Sequence, residues 1–371
     1  MNLLSDYQKK IFSSLKKLEN KKIIIFPSQI KRFTVELPPK NHKADISCNA
    51  AMVLAKINDT SPFKLAEILK NNLLSNFKEF KSIEIVEPGF LNINFDISFW
   101  KNYLTKIVRL EFKFGSHINS RKKYNIEFVS ANPTGPLHVG HCRGAVLGDA
   151  LSNLLIFNGN KVTKEYYVND HGRQIKNFVT SVYYRILEIT KKEPFPEKED
   201  LYPGDYIIKI AEQIIERKSV KDFSNLKKIY NKLLSESLKY SINLIKENLN
   251  LLGIEHNSFI YESKLVNNKT VSKIVKKLIK ENYVYEGILD SPKGELTKDW
   301  KERKQLLFKS TLFGDDIDRP LQKADGEWTY FAGDMAYHSN KISRKFDILI
   351  NILGADHSGY TKRIISATKA I

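Results

Sequence analysis

His138 and His141 stand three residues apart in a 371-residue chain, with Gly140 between them and Asn132-Pro133-Thr134-Gly135-Pro136-Leu137 just ahead. At that spacing two imidazoles share one face of a helix, and each can donate a hydrogen bond to an oxyanion. A helix start adds unpaired N–H groups and a partial positive charge, which suit a polyphosphate. Gly140 has no side chain, so a flat base can approach the backbone there. The chemistry this set suggests is displacement at an α-phosphate, with His138 and His141 as preorganised donors to the oxygens that gain charge. Contacts to ATP are expected from His138, Gly140 and His141. A zinc site is the competing reading of a His-x-x-His pair. It lacks the Glu neighbour of a metalloprotease helix, and the only cysteines, Cys48 and Cys142, are too far apart for a CxxC ligand pair or a disulfide framework. No structural zinc, no other protein-held metal and a reduced compartment are expected.

A strand must deliver this loop and a helix must receive it. Residues 124–129 read as that strand, and a helix beginning near His138 carries Val146, Ala150, Leu151, Leu154 and Leu155 before stopping at Gly159. Strand, glycine-containing loop and helix in this order indicate one half of a nucleotide-binding α/β domain. Helical, charged sequence is expected over about 173–285. A later strand, 346–353, ends in Gly354-Ala355-Asp356-His357. Ligands of open α/β sheets bind at the carboxyl edge, so Gly354, Asp356 and His357 are further candidates for ATP contact. Ahead of all this, residues 1–108 read as a small α+β domain. Leu4, Tyr7, Ile11, Leu15 and Leu18 recur with helical spacing, and Ser61-Pro62 starts a helix with Leu65, Ile68, Leu69 and Leu73. Ile83 and Ile85, the turn Glu87-Pro88-Gly89, and Leu91, Ile93 and Phe95 then form a hairpin pattern. The expected fold class is therefore α/β, with a Rossmann-type catalytic domain over 109–371, containing a helical insertion, behind an α+β N-terminal domain.

Two domains also suit the length, since a single core stops growing below about 300 residues. Apolar residues make up 42% of the chain, yet no run of about 18 occurs, and no signal peptide opens it, so a cytoplasmic protein without membrane contact is expected. Lys and Arg outnumber Asp and Glu by 60 to 42, a net charge of +18 that favours a polyanionic partner. A general richness in Lys, Ile and Asn offers a blander origin for that charge.

The segment from Ile126 through Asn132-Pro133-Thr134-Gly135-Pro136 to His138-Val139-Gly140-His141, followed by Tyr166-Tyr167-Val168-Asn169-Asp170-His171-Gly172, resembles the arginyl-tRNA synthetase family of the class I aminoacyl-tRNA synthetases. So do Asp325-Gly326, Thr329-Tyr330-Phe331, Asp334 and Ala336-Tyr337-His338, the Tyr202-Pro203-Gly204-Asp205-Tyr206 stretch of the insertion, and Pro38-Pro39-Lys40, Asn49-Ala50-Ala51-Met52 and Pro88-Gly89-Phe90 in the first domain. Lys43-Ala44-Asp45 departs from the family's usual His-Gly-Asp, and His256-Asn257 from Phe-Asp.

This resemblance implies an enzyme that activates L-arginine with Mg-ATP and transfers it to the 3′ end of tRNA(Arg), acting as a monomer. It implies that Tyr330 and Asp334 bind the arginine side chain, and that Glu127 and Asn132 hold its amino and carboxylate end. The chemistry is consistent, because guanidinium is a planar cation with five donors and wants rigid carboxylate and amide acceptors. Taken singly, Glu127 also reads as a buried ion-pair partner and Asn132 as an ordinary turn residue. In the family the first domain grips the outer corner of the tRNA. The family continues with a Lys-Met-Ser-Lys loop and a helical anticodon-binding domain, neither of which lies within these residues. Members without that loop carry lysine at the position of Gly135, so an ordinary lysine loop beyond Ile371 is expected. The alternative, for the chain as it stands, is a tRNA- or partner-binding piece without catalysis.

Overall fold

The computed structural model describes residues 2–27, 33–116, 121–220, 222–267, 269–288, 304–323, 325–354 and 359–371. Asp356 and His357 lie outside the described residues. Two compact units divide the chain, Met1–Ile118 and Asn119–Ile371.

The first unit opens with α1 (Leu3–Asn20), whose Tyr7, Ile11, Leu15 and Leu18 are buried on one stripe as the periodicity predicts. Each such side chain contributes roughly 1.5–3 kcal/mol on burial. Strands β1 (Val35–Glu36) and β2 (Ile46–Cys48) follow, then helices α2 (Ala50–Ala55) and α3 (Pro62–Asn76). Ser61 caps α3 by accepting the Lys64 N–H, with Pro62 at the first helical position. Strands β3 (Phe80–Val86) and β4 (Phe90–Phe95) pair antiparallel, with Ile83 opposite Ile93 and Ile85 opposite Leu91, giving a sheet of order β1-β2-β4-β3. A side chain at Gly89, φ +147°, would meet Pro62 at 2.8 Å, so the turn that joins them requires glycine. Asp45, in the segment that departs from the family, accepts the Phe95 N–H at 2.7 Å and so ties its loop to β4. Helix α4 (Ile97–Leu110) closes the unit.

The second unit is built on four parallel strands, β5 (Lys123–Glu127), β6 (Lys161–Val168), β7 (Ser258–Tyr261) and β11 (Ile348–Asn351), in the order β11-β5-β6-β7. Helix α5 (Val139–Phe157) connects β5 to β6. Helices α6 (Arg173–Lys191), α7 (Asp205–Glu216) and α8 (Leu226–Leu251) connect β6 to β7 around a core of their own. After β7 come α9 (Glu262–Asn267), α10 (Thr270–Lys280), an antiparallel sheet of β8 (Val284–Gly287), β9 (Gln305–Phe308) and β10 (Arg319–Pro320), and α11 (Tyr330–Ser343); α12 (Thr361–Ala370) follows β11. None of the described helices is long and apolar enough to cross a membrane.

One local expectation differs from the structure. The span 173–285 is not helical throughout, because residues 258–261 form β7 in the main sheet. A four-residue strand in a parallel sheet shows no alternation to betray it. In helix α5 the fully buried residues are the small Ala145, Gly148 and Ser152, with Leu151 and Leu155 packed partly buried against the core, while Val146 and Leu154 are 55% and 57% exposed. The reason is close packing: a Cβ at Gly148 would come within 2.2 Å of the Phe128 ring.

Candidate active site

The carboxyl ends of the four parallel strands bring the candidate residues to one edge. From β5 comes the loop to His138, from β6 the turn Asn169–Gly172, from β7 Glu262, and from β11 Gly354. The chain runs outward from β5 through β6 to β7 and returns to place β11 on the other side of β5, so a topological switch point lies at the β5/β11 junction.

Helix α5 begins at Val139, with His138 as its N-cap. The His138 Nδ1 accepts the Gly140 N–H at 3.1 Å, and the His141 Nδ1 accepts the His138 N–H at 3.3 Å, a reciprocal capping box made from two imidazoles. Their ring centroids are 3.8 Å apart. With both Nδ1 lone pairs taken by main-chain donors, each neutral ring carries its proton on Nε2 and presents one N–H outward. Burial and the neighbouring His138 push the His141 pKa down, which favours that neutral form. The Gly140 N–H serves His138, and the His141 and Cys142 N–H groups bond the His138 carbonyl, so the imidazoles are the outward donors. Gly140 has a further reason to be glycine, since a Cβ there would lie 2.9 Å from the His138 ring.

Upstream, β5 ends at Glu127 rather than Val129, because Val129 and Ser130 turn out of the strand with φ of +68° and +41°. A β-branched residue in that region is strained by roughly 1–3 kcal/mol. Ser130 helps hold the turn, its Oγ accepting the Tyr167 N–H at 3.0 Å and donating to Glu127 Oε1 at 3.1 Å. The Asn132 amide donates to Gln174 Oε1 at 2.6 Å, which fixes its orientation.

Glu127 is buried and its Oε2 accepts from Lys341 Nζ at 2.5 Å, so the ion-pair reading of this residue describes its bonding. Lys341 is 0% exposed and also donates to Asn351 Oδ1 at 2.7 Å. That bond turns the Asn351 amide nitrogen to His338 Nε2, 2.8 Å away, which leaves the His338 Nδ1–H to donate to the Asp334 carbonyl at 2.9 Å. Burial and nearby Lys341 depress the His338 pKa, so this ring is a neutral bridge. One turn on, Arg344 bonds Glu165 through both terminal nitrogens, at 2.5 and 2.9 Å, and Tyr337 donates to it at 2.8 Å. Burial alone would raise the Glu165 pKa, but these donors hold it below the usual carboxylate value.

At its other end, α11 presents the predicted pair. Tyr330 is the first helical residue and 67% exposed; a Cβ at Gly172 would lie 3.6 Å from its hydroxyl. Asp334 Oδ2 accepts from the Tyr360 hydroxyl. Beside them lies Glu262, which the sequence reading missed. A Cβ at Gly333 would lie 3.9 Å from its Oε1, and the Asn169 amide, assigned by its surroundings with its nitrogen toward the acceptors, donates to Oε2 at 2.7 Å and to the His171 carbonyl at 3.1 Å. Burial, then the charges of Asp334 and Asp170, push the Glu262 pKa up to about 7. Asp170 is itself committed, accepting both the N–H (2.8 Å) and the hydroxyl (2.6 Å) of Ser263. A cleft of about 930 Å³, lined by Asp170, His171, Gly172, Glu262, Tyr330 and Gly333 among others, opens over Glu262 and Asp170. Gly354 lines a second cleft of about 480 Å³, with His338, Asn351, Leu353 and Thr361. Among the described residues no group of three or more His, Cys, Asp or Glu is arranged to hold a metal ion.

The pattern of the family described as class I (R) tRNA synthetases, catalytic domain, matches residues 103–371, and that of the arginyl tRNA synthetase N-terminal domain matches residues 5–95. An arginine–tRNA ligase of Pelagibacter ubique is 49% identical over 100% of this chain and 65% of its own length. That of Ehrlichia chaffeensis is 44% identical, with the same coverage of 100% and 65%. The chain thus spans about two thirds of the length of the curated relatives it matches. Among solved structures, one from Campylobacter jejuni, described as an arginyl tRNA synthetase, aligns with a TM-score of 0.64 and 31% identity over 73% of this chain and 56% of its own. The Thermus thermophilus arginyl-tRNA synthetase shares the fold, with a TM-score of 0.55 and 20% identity over 91% of this chain and 52% of its own. Sequence, strand order and site together place this chain in the arginyl-tRNA synthetase family of class I tRNA synthetases.

Proposed function

We propose that the protein to which this chain belongs activates L-arginine with Mg-ATP and transfers the arginyl group to the 3′ end of tRNA(Arg). The observation that carries the reading is the acidic group at α11: Glu262 is buried, and burial, then the charges of Asp334 and Asp170, raises its pKa to about 7 beside the mouth of a cleft. A guanidinium brings planar donors to these carboxylates, and Tyr330 walls the cleft. Asn132 and Glu127 serve the α-carboxylate and α-ammonium end, Glu127 offering its Ser130-bound oxygen to one more donor. An arginine carboxylate oxygen then attacks the α-phosphorus of ATP and pyrophosphate leaves. The Nε2–H groups of His138 and His141 donate to the phosphate oxygens as charge builds there. The nucleoside side of ATP is assigned to Gly140 and Gly354, at the switch point of the sheet, and from the sequence to Asp356 and His357. Mg²⁺ enters as part of the substrate.

The net charge of +18 supports tRNA as the partner, and the first unit is assigned to the tRNA's outer corner. Cysteine usage supports a cytoplasmic setting, and a monomer is the simplest assembly. Calorimetry tests the amino-acid assignment. Loss of the Asp334 carboxylate in Asp334→Asn should weaken arginine binding by up to about 10⁴-fold, the discrimination available to a polar site, with ATP binding nearly unchanged. An arginine affinity equal to wild type would place the pocket elsewhere.

A further inference from the structure

The loop from Ala131 to Leu137 carries no regular hydrogen bonds of its own strand or helix, so its position has to come from elsewhere. Most of its fixed polar groups are held by the helices between β6 and β7. The Thr134 carbonyl accepts from the Tyr206 hydroxyl on α7 at 2.8 Å. The Pro133 carbonyl accepts from the buried Ser241 hydroxyl on α8 at 2.9 Å, and the Leu137 N–H donates to Asn248 Oδ1, also on α8, at 3.1 Å. Helix α6 contributes Gln174, the acceptor for Asn132. All three helices of the insertion therefore grip the loop that feeds His138 into α5.

Tyr206 makes the closest approach. A Cβ at Gly135 would lie 3.2 Å from its ring, and a Cβ at Gly204 would lie 2.6 Å from it, so glycines on both sides let the ring sit flat between loop and helix. Behind it Ile207, Ile210, Ala211 and Ile214 are buried in the insertion's own core, which makes α7 a rigid mount.

We infer that the insertion is a clamp on the phosphate-binding loop, and that Tyr206 is a positioning residue whose hydroxyl sets where the Nε2–H donors of His138 and His141 point. The inference rests on the function proposed above. It concerns aim rather than binding, because Tyr206 touches neither the acidic group at α11 nor the histidines. Small displacements of a donor from its acceptor cost rate steeply, up to about 100-fold per ångström.

The test is Tyr206→Phe in the full-length protein, which keeps the ring and removes the bond to Thr134. Arginine-dependent ATP–pyrophosphate exchange should lose about 10-fold in kcat, while KM for arginine and the melting temperature stay near wild type. Combined with His138→Ala, it should lose clearly less than the product of the two single losses, since part of its effect runs through the His138 donor already removed. Ser241→Ala, which frees Pro133, should show the same kcat-only loss. Wild-type kcat in Tyr206→Phe beside a large loss in His138→Ala overturns the clamp and leaves the proposed function standing. Wild-type kcat in His138→Ala overturns the phosphate assignment itself. A loss that multiplies fully with that of His138→Ala also overturns the clamp.

Discussion

In the proposed site, charge is arranged residue by residue, acidic where a cation would bind and donor-rich where an oxyanion would. Glu262 carries the sharpest consequence. With its pKa raised to about 7 by burial, Asp334 and Asp170, it holds a proton in the free protein below that pH. A guanidinium needs the carboxylate ionised, so binding of arginine releases this proton and affinity should climb between pH 6 and 8, then level off. Titration calorimetry across that range measures it, and Glu262→Gln should flatten the profile while weakening binding throughout. The same raised pKa gives the free protein a stability contribution that is present below the unfolded value of 4.5 and fades as pH rises through 7. On the phosphate side, His138→Ala or His141→Ala should lower exchange by roughly 10²- to 10³-fold, as for one lost oxyanion donor, with folding little changed. Gly140→Ala should mimic part of that loss by pushing the His138 ring from its cap. The histidines were legible because their spacing and place after a Pro-Gly loop are local facts. Glu262 was not, because a lone carboxylate after a four-residue strand looks like any surface glutamate until β6 and α11 close around it.

Among the elements, α11 links the two ends of the proposed amino-acid site. Its first turns carry Tyr330 and Asp334, and its last turns fasten it to the sheet through Tyr337, His338, Lys341 and Arg344. Removing Lys341 leaves Glu127 buried without its cation, so Lys341→Met should cost about 3–5 kcal/mol in a denaturant titration. Adding Glu127→Gln should recover much of that stability without recovering exchange. The sequence announces α1 and α3 through stripe and cap, and the β3–β4 hairpin through alternation and its glycine turn. It does not announce the anchors of α11, because Lys341 and Arg344 read as solvent-facing helix residues unless buried Glu127 and Glu165 are known to lie beneath them. The packing face of α5 was hidden similarly, since small residues opposite Phe128 centre it and Leu151 and Leu155 only flank it.

For the whole molecule, strand order converts scattered motifs into one site: four parallel carboxyl ends deliver the histidine loop, the Asn-Asp-His-Gly turn, Glu262 and Gly354 to one edge. Parallel pairing joins residues far apart in sequence, such as Ile126 with Ile350, and no periodicity predicts which strands will neighbour. The charge of +18 acts at this scale too. Binding of tRNA should weaken steeply with salt, by about 10³-fold or more between 50 and 200 mM if several phosphates are neutralised, as a filter or anisotropy titration would read. The central claim is that this site selects arginine by its cationic head and activates it. Amino-acid-dependent ATP–pyrophosphate exchange by the full-length protein with tRNA present tests it most directly, comparing arginine with citrulline, its uncharged isostere, and with lysine. Exchange with arginine alone is the predicted result. Equal exchange with citrulline, or none with arginine, would contradict the account.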